Sequence, residues 1–277
     1  MTFDDAPTRF VETRGTRFAY RWIGEPSGVP LICLQHFSGT LDGWDPRVID
    51  GLARGRRVLL FDNAGVGQSS GTTPDNVAQM ALDAERFISG LGLETIDLLG
   101  YSLGGMVAQQ LAASHPQTVR KVMLVGSAPQ GGEEHLLEVL TDAFTRSGPA
   151  DPRLRLFFTQ SPASQAAGRA FLERTKVRTI DRDPESGRAV TDPQAKALIS
   201  WCATKDPAHA LLGAIGQPVL VVNGSNDTML PADNSILMFK RLANAQLVLY
   251  PDAGHGSLFQ YPDLFVAHAS LFLGSST

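Results

Sequence analysis

The sequence has little of what marks several other classes of protein. Its 277 residues include two cysteines, Cys33 and Cys202, and neither a disulfide framework nor a C-x-x-C site is predicted from their positions. No apolar run approaches the roughly 18 residues needed to cross a bilayer, and no signal peptide is visible at the amino terminus. The formal net charge of −4 argues against nucleic-acid binding, for which a basic stripe is expected. These absences predict a soluble, cytoplasmic protein without membrane or nucleic-acid partners.

Six apolar runs, most of them separated by helical patterns, indicate the fold. They read PLICLQHF, RRVLLFDNAG, TIDLLGYS, VRKVMLVGS, PVLVVNGSND and AQLVLYPDAG. Apolar residues at nearly every position suit strands that are buried on both faces of a parallel sheet. Near the amino terminus, RFVETRG and TRFAYRWIG predict an antiparallel hairpin. The prediction is an α/β fold with a mainly parallel, doubly wound sheet that begins with this hairpin.

Residues 131–216 interrupt the alternation of strands and helices. They contain helical patterns, such as SQAAGRAFLERTKV, and no run that suits a buried strand. An insertion of this kind is expected to cap the sheet. We therefore predict one core domain, formed by residues 1–130 and 217–277, with a helical cap at residues 131–216.

Two pentapeptides fit the pattern G-x-S-x-G, namely GYSLG at residues 100–104 and GQSSG at residues 67–71. A nucleophilic serine projects from a sharp strand-to-helix turn, in which flanking glycines let strand and helix approach closely. Ser102 has a predicted strand before it and a predicted helix after it. Ser69 has loop sequence on both sides and is interpreted as a turn residue. Ser102 is therefore the predicted nucleophile.

A serine nucleophile needs a base that is oriented by an acid. His255, in PDAGHGS, follows the last predicted strand and has glycines on both sides that give an imidazole room to move. The alternative is a loop histidine bonded to backbone. Asp227 follows the fifth apolar run and is the predicted acid. Asp252, three residues before His255, competes for that role, although a proline-aspartate turn already accounts for it.

The order Ser102, Asp227, His255 on strand ends resembles that of the α/β-hydrolase fold superfamily, in its branch of serine esterases and cofactor-free haloperoxidases. QHFSGTLDGWDP resembles the family's loop after the third strand, FDNAGVGQSSG its D-x-x-G-x-G-x-S turn, and GHGSLFQYPDLF the segment around its histidine. Together these segments extend the resemblance over nearly the whole chain. The segment FDNAGVGQSSG contains GQSSG, and its resemblance to that turn therefore explains the pentapeptide around Ser69.

The resemblance implies further site residues. The N–H groups of Phe37 and Leu103 would form the oxyanion hole, and Phe37 is alternatively a wall of the acyl pocket. Substrate contacts are expected from His36 in the loop after the third strand, and from the aromatic residues Phe157, Phe158 and Trp201 of the predicted cap.

These residues predict a serine hydrolase that cleaves a small, largely apolar carboxylic ester or lactone through an acyl-enzyme. No metal or organic cofactor is implied, since no His/Cys cluster has ligand spacing and there is no P-loop. In similar enzymes the same residues serve carbon–carbon bond hydrolysis, perhydrolysis and acyl transfer, and these remain alternatives. A ligand sensor on the same fold, which captures without turnover, is another. The physiological substrate and the oligomeric state are left open.

Overall fold

The computed structural model describes residues 1–132, 136–146 and 150–275. Within these ranges, eight strands form one sheet, in the spatial order β1-β2-β4-β3-β5-β6-β7-β8. Their bounds are β1 Arg9–Thr13, β2 Thr16–Ile23, β3 Leu31–Leu34, β4 Val58–Phe61, β5 Ile96–Tyr101, β6 Val119–Val125, β7 Val219–Gly224 and β8 Ala245–Tyr250. β1 pairs with β2 and β2 with β4 in antiparallel register. All other pairs are parallel, so the predicted fold class is confirmed.

The central strands β3 to β7 are buried along almost their whole length. Continuous apolar sequence produces this burial because helices cover both faces of a parallel sheet. β8 differs from the prediction, since most of its residues are only partly buried or exposed. The reason is its position at the edge of the sheet, where β7 is its one hydrogen-bonded neighbour.

Eleven α-helices are formed by the described residues. Those outside the predicted cap are α1 Pro46–Leu52, α2 Val77–Gly90, α3 Leu103–Ser114, α9 Ala232–Arg241, α10 Ser257–Gln260 and α11 Pro262–Gly274. α3 packs against β3, β5 and β6, at the centre of the sheet. In the described part of the chain, no helix combines the length and the apolar character needed to cross a membrane.

The described residues between β6 and β7 form five helices. They are α4 Leu136–Arg146, α5 Arg153–Phe157, α6 Pro162–Arg174, α7 Arg188–Ala203 and α8 Ala210–Gly213, with no strand among the described residues of this segment. α6 packs on α10, α7 on α2, and α8 on α3. Residues 133–135 and 147–149 of the predicted cap lie outside the described residues. The division into core and cap stays a prediction.

Candidate active site

Ser102 occupies the turn between β5 and α3, as predicted from the strand and helix patterns around it. Its backbone angles are φ 55° and ψ −118°, a conformation rare for a residue with a side chain and a mark of functional turns. Gly100 and Gly104 make the turn possible. A Cβ on Gly100 would lie 2.4 Å from the Gly104 carbonyl oxygen, and one on Gly104 would lie 2.1 Å from the Leu34 carbonyl oxygen.

Hydrogen bonds fix the backbone of Ser102 and leave its hydroxyl free. The Ser102 N–H donates to the Val125 carbonyl at 2.9 Å. The Ser102 carbonyl accepts from Gly105 N–H at 2.8 Å and from the Ser127 hydroxyl at 3.0 Å. Ser102 Oγ makes no hydrogen bond to any described residue. The neighbouring chain thus determines where Oγ points, while the hydroxyl keeps its donor and acceptor for another molecule.

His255 and Asp227 meet beyond the carboxyl ends of β8 and β7. His255 Nδ1–H donates to Asp227 Oδ2 at 2.8 Å. The other carboxylate oxygen accepts the N–H groups of Met229 at 2.8 Å and Leu230 at 3.0 Å, so the carboxylate cannot rotate freely. With the proton of a neutral ring on Nδ1, Nε2 is the acceptor. That atom is buried and has no hydrogen-bond partner among the described residues.

Contrary to the prediction, the glycines beside His255 do not give the imidazole room to move. His255 is only 1% exposed, and the flanking glycines admit Phe157 rather than ring movement. A Cβ on Gly254 would lie 2.9 Å from the Phe157 carbonyl oxygen, and one on Gly256 would lie 2.6 Å from Phe157 Cβ. Gly256 N–H also donates to the Phe157 carbonyl at 2.9 Å. The imidazole is therefore enclosed by the end of α5.

Asp252, the competing acid, bonds elsewhere. Its carboxylate accepts hydrogen bonds from the hydroxyls of Thr159 and Ser161. Both donors belong to the loop between α5 and α6 and hold that loop against the exit of β8. Of the two candidate carboxylates, Asp227 is the one that the structure brings to His255.

A cavity of about 560 Å³ joins the two halves of the candidate site. Among its walls are His36, Phe37, Ser102, Phe157, Met229 and His255. Ser102 Oγ and His255 Nε2 make no hydrogen bond to each other. Such bonds are often long without substrate and tighten in its complex. Within the described residues, no group of three or more His, Cys, Asp or Glu side chains is arranged to hold a metal ion.

Three other predicted residues do not line this cavity. Leu103 is the first residue of α3. Phe158 lines a separate, more open groove of about 1150 Å³. Trp201 is buried and its indole N–H donates to the Ala128 carbonyl at 3.1 Å. Of the predicted aromatic contacts from the cap, Phe157 alone reaches the cavity.

The loop after β3 forms a tight turn at residues 36–39, in which Gly39 N–H donates to the His36 carbonyl at 3.0 Å. His36 Nδ1–H donates to the Phe37 carbonyl at 2.7 Å. Burial is the main cause that lowers the pKa of His36 to about 3, so this histidine is neutral near pH 7. Its ring packs edge-on against Tyr101 and Phe157.

Sequence reasoning missed two residues that support the candidate site, Gln35 and Gln194. Gln35 closes the loop from inside, since its side chain accepts from His36 N–H at 2.9 Å and donates to the Thr40 carbonyl at 3.0 Å. A glutamine at the end of a buried apolar run is a signal that could have found it. Gln194 accepts the Ser38 N–H at 2.6 Å from 156 residues away, and no local pattern announces that contact.

Comparison with known proteins agrees with this architecture. Residues 29–262 match the alpha/beta hydrolase fold family. The pimeloyl-(acyl-carrier protein) methyl ester esterase of Nitrosomonas europaea is 28% identical over 253 residues, which cover 87% of this chain and 94% of that protein. A solved alpha/beta hydrolase fold protein from Chitinophaga pinensis is 45% identical, with a TM-score of 0.92 over 99% of this chain and 100% of the other.

The enol-lactonase from Burkholderia xenovorans LB400 has the same fold at 23% identity, with a TM-score of 0.76 over 96% of this chain and all of that one. The predicted membership of a family of hydrolytic enzymes is confirmed by the family match and by the similarity to the esterase of Nitrosomonas europaea. By its sequence match, its sheet order and its strand-to-helix turn at Ser102, the chain belongs to the alpha/beta hydrolase fold family.

Proposed function

We propose that the protein is a serine hydrolase that cleaves a small carboxylic ester or lactone through an acyl-enzyme. One observation carries the proposal. A serine with a free hydroxyl, on a strained strand-to-helix turn, shares a cavity with a histidine whose Nδ1 is bonded to a buried carboxylate. This combination supports nucleophilic catalysis because a serine hydroxyl becomes a strong nucleophile only when a base removes its proton.

In the proposed reaction, Ser102 Oγ attacks the ester carbonyl carbon and His255 Nε2 takes the serine proton. Asp227 holds the imidazole with Nδ1 protonated and stabilises the imidazolium. The tetrahedral intermediate collapses, the bond to the alcohol oxygen breaks, and His255 returns the proton to the leaving alcohol. A water molecule, deprotonated by the same histidine, then attacks the acyl carbon and releases the acid with free Ser102.

We assign the oxyanion hole to the backbone amides of Phe37 and Leu103. Neither N–H has an acceptor among the described residues. The Leu103 amide is at the amino terminus of α3, where the helix dipole adds to the attraction for negative charge. A donor of this kind typically contributes about 2.7–4 kcal/mol to the transition state.

The cavity supports a small substrate with an apolar acyl or alcohol group. Its volume of about 560 Å³ falls in the usual range for small-molecule sites, roughly 300–1,000 Å³. Leu140, Leu156, Phe157 and Met229 supply apolar surface, and the first three lie between β6 and β7. This placement supports the proposal that residues 131–216 form a cap over the nucleophile. The esterase from Nitrosomonas europaea supports an ester as the bond that is cleaved.

Release of nitrophenol from p-nitrophenyl acetate and butyrate tests the proposal. Continued turnover by the wild type, with a loss of at least about 10⁴-fold in kcat for Ser102→Ala, is the expected result. One equivalent of nitrophenol without turnover would favour a sensor that captures its ligand. Equal rates for the two proteins would reject Ser102 as the nucleophile.

A further inference from the structure

The turn at residues 36–39, which includes Phe37 of the cavity wall, has an unfavourable backbone conformation. Ser38 has φ 60°, at the position of a tight turn where glycine is normally required. A serine there needs support from surrounding groups to keep the turn in one conformation. The groups that supply this support determine the direction of the Phe37 N–H.

Both polar atoms of the peptide between Phe37 and Ser38 are held by side chains. Its carbonyl accepts from His36 Nδ1 at 2.7 Å, within the turn itself. Its N–H donates to Gln194 Oε1 at 2.6 Å. Gln194 belongs to α7, between β6 and β7. The second support therefore comes from the insertion and not from the sheet.

The Ser38 N–H is the one hydrogen-bond partner that the Gln194 side chain has among the described residues. The side chain is 1% exposed, and its Nε2 has no hydrogen-bond partner among the described residues. Burying an amide with its donors unsatisfied costs free energy that an apolar side chain of similar shape would not cost. Methionine has a similar shape but lacks the amide oxygen, so it could not accept the Ser38 N–H.

The helix that carries Gln194 is itself anchored near the candidate nucleophile. Trp201 of α7 donates its indole N–H to the Ala128 carbonyl at 3.1 Å, and its backbone carbonyl accepts the Gly131 N–H at 3.1 Å. Both partners follow β6, whose last residue, Val125, also accepts the Ser102 N–H. These two contacts hold α7 in place relative to the turn at residues 36–39.

We propose that Gln194 is a positioning residue: through Ser38 it fixes the turn that aims the Phe37 amide at the oxyanion. The inference rests on the proposed function. It gives α7 an indirect effect on the rate of acyl transfer, through the turn at residues 36–39. A misaligned donor weakens stabilisation of the transition state more than it weakens substrate binding.

Gln194→Met tests this inference, with Gln217→Met as the matched control. Gln217 is also buried, at 7% exposure. Its Nε2 donates to the Ala112 carbonyl at 2.9 Å and its Oε1 has no partner, and it does not line the cavity. We expect Gln194→Met to lower kcat for p-nitrophenyl butyrate by about 10- to 100-fold, with KM changed less than about 3-fold. Gln217→Met should retain the wild-type kcat.

Hydrogen exchange of the peptide spanning residues 34–41 measures the turn independently of catalysis. In Gln194→Met, the Ser38 amide loses its acceptor and should exchange faster than in wild type, while Gln217→Met leaves it unchanged. Gln194→Asn, one methylene too short to keep the contact, provides a second variant if the methionine protein does not fold. It should show the same fall in kcat and the same faster exchange.

The two proposals fail in different ways. Wild-type kcat in Gln194→Met, beside an active wild type and an inactive Ser102→Ala, overturns the inference and leaves the proposed function standing. A lower kcat without faster exchange at residues 34–41 also overturns it. Failure of the proposed function is read separately, from equal rates of wild type and Ser102→Ala.

Discussion

Residues 67–71 and residues 100–104 both fit G-x-S-x-G, and both serines are buried, Ser69 at 8% and Ser102 at 4% exposure. Their hydroxyls differ. Ser69 Oγ donates to the Asp62 carbonyl at 2.8 Å and accepts Ala19 N–H at 2.9 Å, and it thereby ties β2 to the end of β4. Ser102 Oγ bonds to no described residue and lines a cavity. The same pentapeptide thus serves to brace the fold in one place and to present a free hydroxyl in the other.

The backbone explains this difference. Ser102 stands between a strand and a twelve-residue helix, so the turn lifts its side chain out of the sheet's end. Ser69 closes a loop in which its N–H donates to the Val66 carbonyl at 2.9 Å, and its side chain points back to the sheet. What distinguishes Ser102 from Ser69 is the secondary structure on either side of it, together with an unused hydroxyl.

The largest expected effect distinguishes Asp227 from Asp252, the two carboxylates that were candidates for orienting His255. Asp227→Asn should lower kcat for p-nitrophenyl esters by about 10⁴-fold, because an amide favours the wrong imidazole tautomer and does not stabilise the positive charge of the imidazolium. Asp252→Asn is the control, since its contacts are with Thr159 and Ser161. We expect kcat within a few-fold of wild type for that variant. The reverse order of effects would reassign the acid.

The second glycine of each pentapeptide gives the next test. Gly104→Ala places Cβ 2.1 Å from the Leu34 carbonyl oxygen, whereas the nearest atom to a Cβ at Gly71 is Thr16 Cγ2 at 3.6 Å. Gly71→Ala should cost about 1–2 kcal/mol, because Gly71 has φ +93° and alanine is strained there. Gly104→Ala should lower the free energy of unfolding by about 3 kcal/mol or more. Urea unfolding measures both, and equal losses would contradict the close approach at Ser102.

Alanine at each serine separates support of the fold from chemistry. Ser69→Ala leaves the buried Ala19 N–H without an acceptor and should cost about 1–3 kcal/mol of unfolding free energy. Ser102→Ala removes no hydrogen bond between described residues and should change that free energy less than Ser69→Ala does. Esterase activity should show the opposite order. Thermal unfolding and initial rates on the same samples provide the check, and a less stable Ser102→Ala would argue for a structural hydroxyl.

The smallest expected effect tests the neutral state of His36, which lines the same cavity as Ser102. Burial keeps the pKa of His36 at about 3, below the usual value of roughly 6.5. His36 is therefore neutral above about pH 4, and its replacement changes no charge there. His36→Gln should lower kcat by disturbing the Phe37 carbonyl, but leave the midpoint of the acid limb of kcat/KM unchanged between roughly pH 5 and 8. A shift of that midpoint would assign the ionisation to His36.

The sheet and the turn at Ser102 were predictable because their determinants are local. Apolar runs specify buried strands, and the spacing of Gly100 and Gly104 around Ser102 suits a strand that must pass close to a helix. Asp227 could be chosen over Asp252 because it follows the fifth apolar run, whereas a proline-aspartate turn already accounts for Asp252. In each case the residues that decide the structure are neighbours in sequence.

The part of the candidate site contributed by residues between β6 and β7 was much less predictable. Phe157, Phe158 and Trp201 are alike in being aromatic residues of a helical segment, yet only Phe157 lines the cavity. Which face of each helix meets the core depends on packing between segments far apart in the chain. The same holds for the glycines beside His255, which admit Phe157, and for Gln194, whose partner is 156 residues away.

The most direct test of the central claim, that Ser102 rather than Ser69 is the nucleophile, is covalent labelling with an alkyl phosphonofluoridate. The serine oxygen forms a bond to phosphorus, and fluoride leaves with the serine proton transferred to His255. Peptide mass spectrometry of wild type, Ser69→Ala and Ser102→Ala locates the adduct. We predict one adduct on the peptide that contains Ser102, retained in Ser69→Ala and absent from Ser102→Ala. Labelling that persists in Ser102→Ala, or that falls on the peptide containing Ser69, would contradict the account.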